Sequence, residues 1–213
     1  MSKGSETRRA IVERAASLFN ERGYSASMQE ITEATGLQRG GIYNHFESKE
    51  DLAAASFEYA TETIRTGVFE RIEKIASPIE RLRAIPQSFF DRYAESTAFP
   101  NGCVVLNTAI EAKRHMPALR ERSQRAMRGF LGLVERSVRA AVRAGELPAG
   151  TRAPEVAAIF ISTLEGAMLL GLLYDDRSYL RGAVRHLHWY LDTIAAAGAA
   201  AAVVPATRRR KRA

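Results

Sequence analysis

Residues 27–49, SMQEITEATGLQRGGIYNHFESK, constrain the fold more than any other stretch of the chain. Ser27 and Glu30 have the S-x-x-E spacing of a capping box, which starts a helix at Met28. Met28, Ile31 and Ala34 recur at spacing three and predict a short buried stripe. Gly36 stands where a C-cap glycine ends a helix. Leu37 opens a second run to Phe46, with Ile42 and Phe46 apolar and four apart. Gln38, Arg39, Tyr43, Asn44 and His45 fall mostly on the opposite face. Ser48, three residues before Asp51, caps a third helix. A helix, a short glycine-containing turn and a second helix with a polar outer face form the helix-turn-helix pattern.

The flanking sequence is helical throughout. Residues 1–5 read as a flexible arm, and a helix over 6–22 places Ile11, Ala15, Leu18 and Phe19 on one face. Leu18 and Phe19, with Ile31, Ile42, Tyr43 and Phe46, predict a small separate core. A long helix follows from Lys49 to Ile75, striped by Ile64, Val68, Ile72 and Ile75. Ser77-Pro78-Ile79-Glu80 is a second capping box, opening a helix that Pro86 should kink. Further helices are expected over 103–114, 117–144, 156–174 and 179–197, with Gly166 and Gly171 allowing close approach of a neighbour. No run of alternating β-branched residues occurs, so the fold class is all-α.

From Gly40 to Glu50 the chain reads GGIYNHFESKE, close to the G-x-[IL]-Y-x-[HY]-F-x-[SN]-K-[ED] run of the TetR/AcrR transcriptional regulators, which it resembles. Ile31, Ala34, Gly36, Leu37, Arg39 and Leu52 match that family as well. Position 41 departs: it is Gly where the family more often carries a small hydroxyl residue or Ala. The resemblance implies three parts: a helix-turn-helix DNA-binding domain over 1–52, a ligand-binding and dimerisation domain over 53–197, and, by composition, a disordered basic tail over 198–213. It also implies that the helix from Lys49 links the two domains and that the last two helices form a four-helix bundle with a partner copy.

The candidate DNA contacts follow from side-chain chemistry. Gln38 and Arg39 open the second helix and can grip adenine or guanine edges in a bidentate manner. Gly40 lets the backbone come close. Tyr43, Asn44, His45 and Lys49 lie along the same polar run; Tyr43, His45 and Lys49 suit phosphates, and the family implies Tyr43 and Lys49 as backbone contacts. Ser27 and Met28 offer a helix N-terminus to a phosphate. Net charge is weak support, because residues 1–52 hold seven Lys/Arg against eight Asp/Glu, and much of the overall +7 sits in the terminal RRRKR. One helix-turn-helix reads few bases, so a homodimer on a palindromic operator in double-stranded DNA is expected.

The family usually has a ligand cavity among its middle helices. Phe89, Phe90, Tyr93, Cys103, Asn107, Met127, Phe130, Phe160, Glu165 and Met168 are the candidate lining for a small apolar or aromatic effector. Gly102-Cys103-Val104-Val105-Leu106-Asn107 with Glu111 resembles one ligand-domain subgroup. Cys103 begins a helix, a position that favours thiolate, so electrophile or oxidant sensing is an alternative.

Catalytic and metal readings find little. His186 and His188 are two apart on a helix and point to different faces, and His115 has no ligand set beside it. No Gly-rich phosphate loop occurs. The expectation is a regulator without cofactor, metal or enzymatic activity, against the alternative of a non-regulatory helical binding protein or enzyme. A single cysteine and a polar N-terminus suit the cytoplasm, and the apolar run 156–174, interrupted by Glu165, reads as a buried helix rather than a membrane span.

Overall fold

The computed structural model describes residues 3–95, 101–113 and 116–203, with side chains for 3–91, 101–113 and 116–197. All regular structure among them is helical.

The first helix, α1 (Lys3–Arg22), starts at Lys3, so the expected arm is mostly helix. It buries Ile11, Val12, Ala15, Ala16, Leu18 and Phe19 against α4 and α2. Helix α2 (Met28–Thr35) carries the complete capping box: Glu30 N donates to Ser27 Oγ at 3.2 Å, and Ser27 N donates to Glu30 Oε2 at 2.7 Å. Gly36 ends it at φ +70°. The predicted stripe is corrected at one position: Ala34 is exposed and Thr35 is buried. A period of 3.6 brings residue 35, not 34, back under Met28 and Ile31. Thr35 tolerates burial because its hydroxyl donates to Ile31 O at 2.7 Å.

Helix α3 (Arg39–Tyr43) is shorter than expected, with Gln38 as N-cap and Leu37 and Phe46 outside it. Two adjacent glycines supply little helix propensity. Phe46 still reaches the core, 2% exposed. Tyr43 does not belong to that core: it stands 38% exposed, on the outer face.

Helix α4 (Lys49–Ile64) is capped by Ser48, whose Oγ accepts from Asp51 N at 3.0 Å. The expected uniform linker is broken by a π-turn over Arg65–Phe69 and ends in the short α5 (Glu70–Glu73). Helix α6 (Pro78–Glu95) runs on with Pro86 inside it. Ser77 Oγ accepts from Glu80 N, but the reciprocal carboxylate is Glu146, which takes Ile79 N at 2.8 Å and Ser77 Oγ at 3.3 Å.

Helices α7 (Val104–Glu111) and α8 (Pro117–Arg143) follow, then α9 (Ala153–Leu173) and α10 (Ser178–Val203). Helix α8 packs on α6, α7 and α9, and α10 covers α9 and α6. The expected tail is corrected at its start: α10 continues through residues 198–203, where alanine, the best helix former, dominates. The RRRKR run lies outside the described residues. Gly166 is exposed, and a Cβ there meets nothing within 4 Å, so it allows no close approach within the protomer. Helix α9 is long and apolar enough to cross a membrane, yet Phe160 and Leu164 are fully buried within the protein.

Candidate DNA-binding surface and effector region

The head formed by α1–α3 and the start of α4 turns one polar face outward. Gln38, Arg39, Gly40, Tyr43 and Asn44 are exposed together, while Ile42 between them is buried. The Arg39 guanidinium lies 5.6 Å from the Tyr43 ring centroid, which holds both side chains on the same side. His45 and Lys49 are half-buried at the edge of this face. Ser27 is exposed, and Met28 is half-buried against the core. The Ser27 hydroxyl also donates to Glu30 at 2.9 Å, so Ser27 offers a cap and a helix end rather than a free hydroxyl. Bonds from the Ser27 backbone and hydroxyl, then from Arg22, hold the Glu30 carboxyl below its usual range.

Two basic residues near the start of α1 act inside the head. Arg8 stacks 4.7 Å over the Phe46 ring, and Arg9 bonds Glu13 at 2.9 Å. Arg14 Nη1 donates to Thr35 O at 2.8 Å, tying α1 to the end of α2. A pattern of apolar spacing carries no sign of such long-range ties.

The candidate effector residues divide. Phe89 and Phe90 are half-buried, and Phe130 meets Phe69 and Phe89 edge-on at 5.0 and 6.2 Å. Met127 is half-buried; Phe160 is fully buried. The Tyr93 side chain and His115 lie outside the described residues. Cys103, Glu165 and Met168 come together beneath the turn at Gly102. That residue has φ +87°, and a Cβ on it would lie 2.6 Å from Leu172 Cδ1 and 3.5 Å from Met168 Sδ. Both Glu165 carboxylate oxygens are buried, and among the described residues the polar side chain facing them is the Cys103 thiol, with no N–H or O–H donor in reach. Burial raises the Glu165 pKa, which favours the neutral acid. Burial first, then Glu165, pushes the Cys103 thiol well up as well. The expected thiolate is therefore disfavoured: loss of solvation outweighs the helix N-terminus.

Asn107 lies apart from this cluster. It is exposed, and its Nδ2 donates to Asn101 O at 2.8 Å, away from Glu165. It lines a cavity of about 270 Å³ between α7 and the end of α1. Here the C-terminal domain grips the head. Glu111 Oε1 accepts from Tyr24 N at 2.6 Å and from Ser25 N at 3.1 Å. Tyr24 Oη and Thr108 Oγ1 share a buried hydrogen bond of 3.0 Å, and burial pushes the Tyr24 phenol up to about 12. Asn101 N donates to Asn20 Oδ1 at 3.4 Å.

This outward polar face on a capped three-helix head matches a known domain at the level of sequence. Residues 11–56 match the model for bacterial regulatory proteins of the tetR family, and residues 78–187 match the tetracyclin repressor-like C-terminal domain. The chain belongs to the TetR family. Its fold agrees with that of a TetR transcriptional regulator from Chloroflexus aurantiacus, with a TM-score of 0.85 and 37% identity over 90% of this chain and 97% of that one. The repressor DhaR of Mycobacterium sp. is 33% identical over 49% of this chain and 51% of its own length. The regulator TtgR of Pseudomonas putida is 26% identical over 84% of this chain and 86% of its own. Against DhaR, the chain thus spans about half the length of its relative. TetR-family members are DNA-binding transcription factors rather than enzymes, and this chain is a DNA-binding regulator of that kind.

Proposed function

We propose that the protein is a homodimeric cytoplasmic repressor. It binds a palindromic operator through residues 1–52 and leaves it when a small apolar or aromatic effector enters the domain that follows. The observation that carries this reading is the outward face of α3. Gln38 and Arg39 stand exposed at its N-terminal end, and Tyr43 and Asn44 follow. In this docking geometry the N-terminal residues of the recognition helix reach base edges, and its flanks reach phosphates.

Exposed apolar residues on α9 and α10 support the dimer. Leu169 is 60% exposed, Leu173 67%, Tyr174 61% and Trp189 60%. Large apolar side chains exposed on two neighbouring helices support an interaction surface there. The buried Glu165 carboxyl beside Cys103 and Met168 supports an effector that brings its own hydrogen-bond donor. Similarity to the repressor DhaR supports repression. A thiol held protonated does not favour Cys103 as an electrophile sensor.

The test is selection of duplexes from a random pool with the purified protein. A palindromic consensus is expected, and Arg39→Ala should weaken binding to it by about 1–3 kcal/mol while leaving the dimer intact. Recovery of no consensus, with binding that collapses in salt, would refute the reading.

A further inference from the structure

A cavity of about 450 Å³ opens between α4, the π-turn and α8, within the roughly 300–1,000 Å³ common for small-molecule sites. Phe57, Phe69 and Phe130, largely buried, line its apolar floor. Its rim is built of arginines. Arg122 pairs with Glu58 at 2.9 Å, Arg136 with Glu73 at 2.8 Å, and Arg65 with Glu62 at 2.5 Å. These three pairs engage every carboxylate on the lining. Arg125 is left over: it is exposed, and among the described residues no carboxylate pairs with it. The rim therefore carries one uncompensated cation above an aromatic floor.

Gly129 lines the same cavity. A Cβ built on it meets nothing within 4 Å, so open space replaces a side chain in the middle of α8. Glycine in a helix interior costs about 1 kcal/mol relative to alanine. The opposite wall includes Arg65 and Phe69 at the two ends of the π-turn. Such turns recur at functional sites.

We propose that this cleft binds an amphipathic anion, a molecule with an apolar or aromatic body and one carboxylate or comparable acidic head. The body covers the three phenylalanine rings, and the head takes the Arg125 guanidinium, whose planar fork suits a carboxylate. A cationic head of the same size meets four guanidiniums and no free carboxylate. This site is separate from the interior around Cys103 and Glu165 and does not depend on that region taking a ligand. Because its walls are the linker and α8, an anion that prefers one separation of those helices also biases the position of the head.

The experiment uses the full chain, with decanoate as probe and decyltrimethylammonium as the matched cation, both below micelle formation, followed by calorimetry. Decanoate should bind and the cation should not. Arg125→Glu should weaken decanoate at least about tenfold, equivalent to ~1.4 kcal/mol. Gly129→Leu, which enters open space, should block it. Thermal melting and sedimentation establish that each variant is folded; if Gly129→Leu is not, Arg125→Glu alone decides. Equal binding of the two probes overturns the proposal, as does no binding of decanoate, or decanoate affinity unchanged in the folded variants.

Discussion

Replacing Gly23 by alanine tests the junction between the head and the rest of the protein. Gly23 has φ +78°, where an L-residue costs about 1–2 kcal/mol. A Cβ there would sit 2.7 Å from Glu111 Oε2 and 2.9 Å from Oε1, inside any tolerable contact. The Glu111 carboxylate is the end of a flexible side chain and can swing aside, but it then releases Tyr24 N and Ser25 N. Glu111 is exposed, so solvent replaces part of what is lost; about 1 kcal/mol remains for that step. The whole substitution should therefore cost about 2–3 kcal/mol, or roughly 4–12 °C in Tm for a chain of this size. The same substitution on a Glu111→Ala background has no clamp to break and should cost only the backbone part, about 1–2 kcal/mol. Urea unfolding of the four proteins in this cycle gives the coupling. A Gly23→Ala cost that is identical with and without Glu111 would refute the clamp.

Other outcomes follow from single side chains. Gly41→Ala should stabilise the protein by about 0.4–1 kcal/mol in urea, because its Cβ meets only Leu37 Cβ at 3.9 Å and the unfolded chain loses freedom. Glu165 keeps its proton to higher pH when folded than when unfolded, so it favours folding below the ordinary carboxylate range and loses that contribution as pH rises through the folded value. Stability measured from pH 4 to 7 should accordingly shift in favour of Glu165→Gln over the parent as pH rises; a constant difference would show that the carboxyl is not buried as described. Leu173→Glu on the exposed face of α9 should raise the dimer dissociation constant at least about tenfold by sedimentation without unfolding the protomer, and an unaltered dimer would move the interface elsewhere.

Local chemistry made much of the head legible in the sequence. A capping box, a C-cap glycine and apolar spacing act over a few residues, and Ser27, Glu30, Gly36, Ile31 and Ile42 behave as those rules require. The exposure of Gln38 and Arg39 followed from the same pattern. Where two local rules competed, the pattern was less decisive. Alternation of type could not say whether Tyr43 packs or projects, and spacing three could not separate Ala34 from Thr35.

The composition and periodicity of the chain alone determined an all-helical protein with a helix-turn-helix at its N-terminal end, because helix propensity, caps and amphipathic stripes are properties of neighbours in sequence. Only the tertiary structure decided what long-range contacts impose. It set Glu111 against Tyr24 across 87 residues, and Glu146 on the start of α6 across 67. It placed Asn107 at the junction and, among the described residues, left both oxygens of the Glu165 carboxyl with no N–H or O–H donor. It also raised the Cys103 thiol instead of lowering it, since desolvation depends on which helices close over a residue, and no spacing of residue types encodes that enclosure.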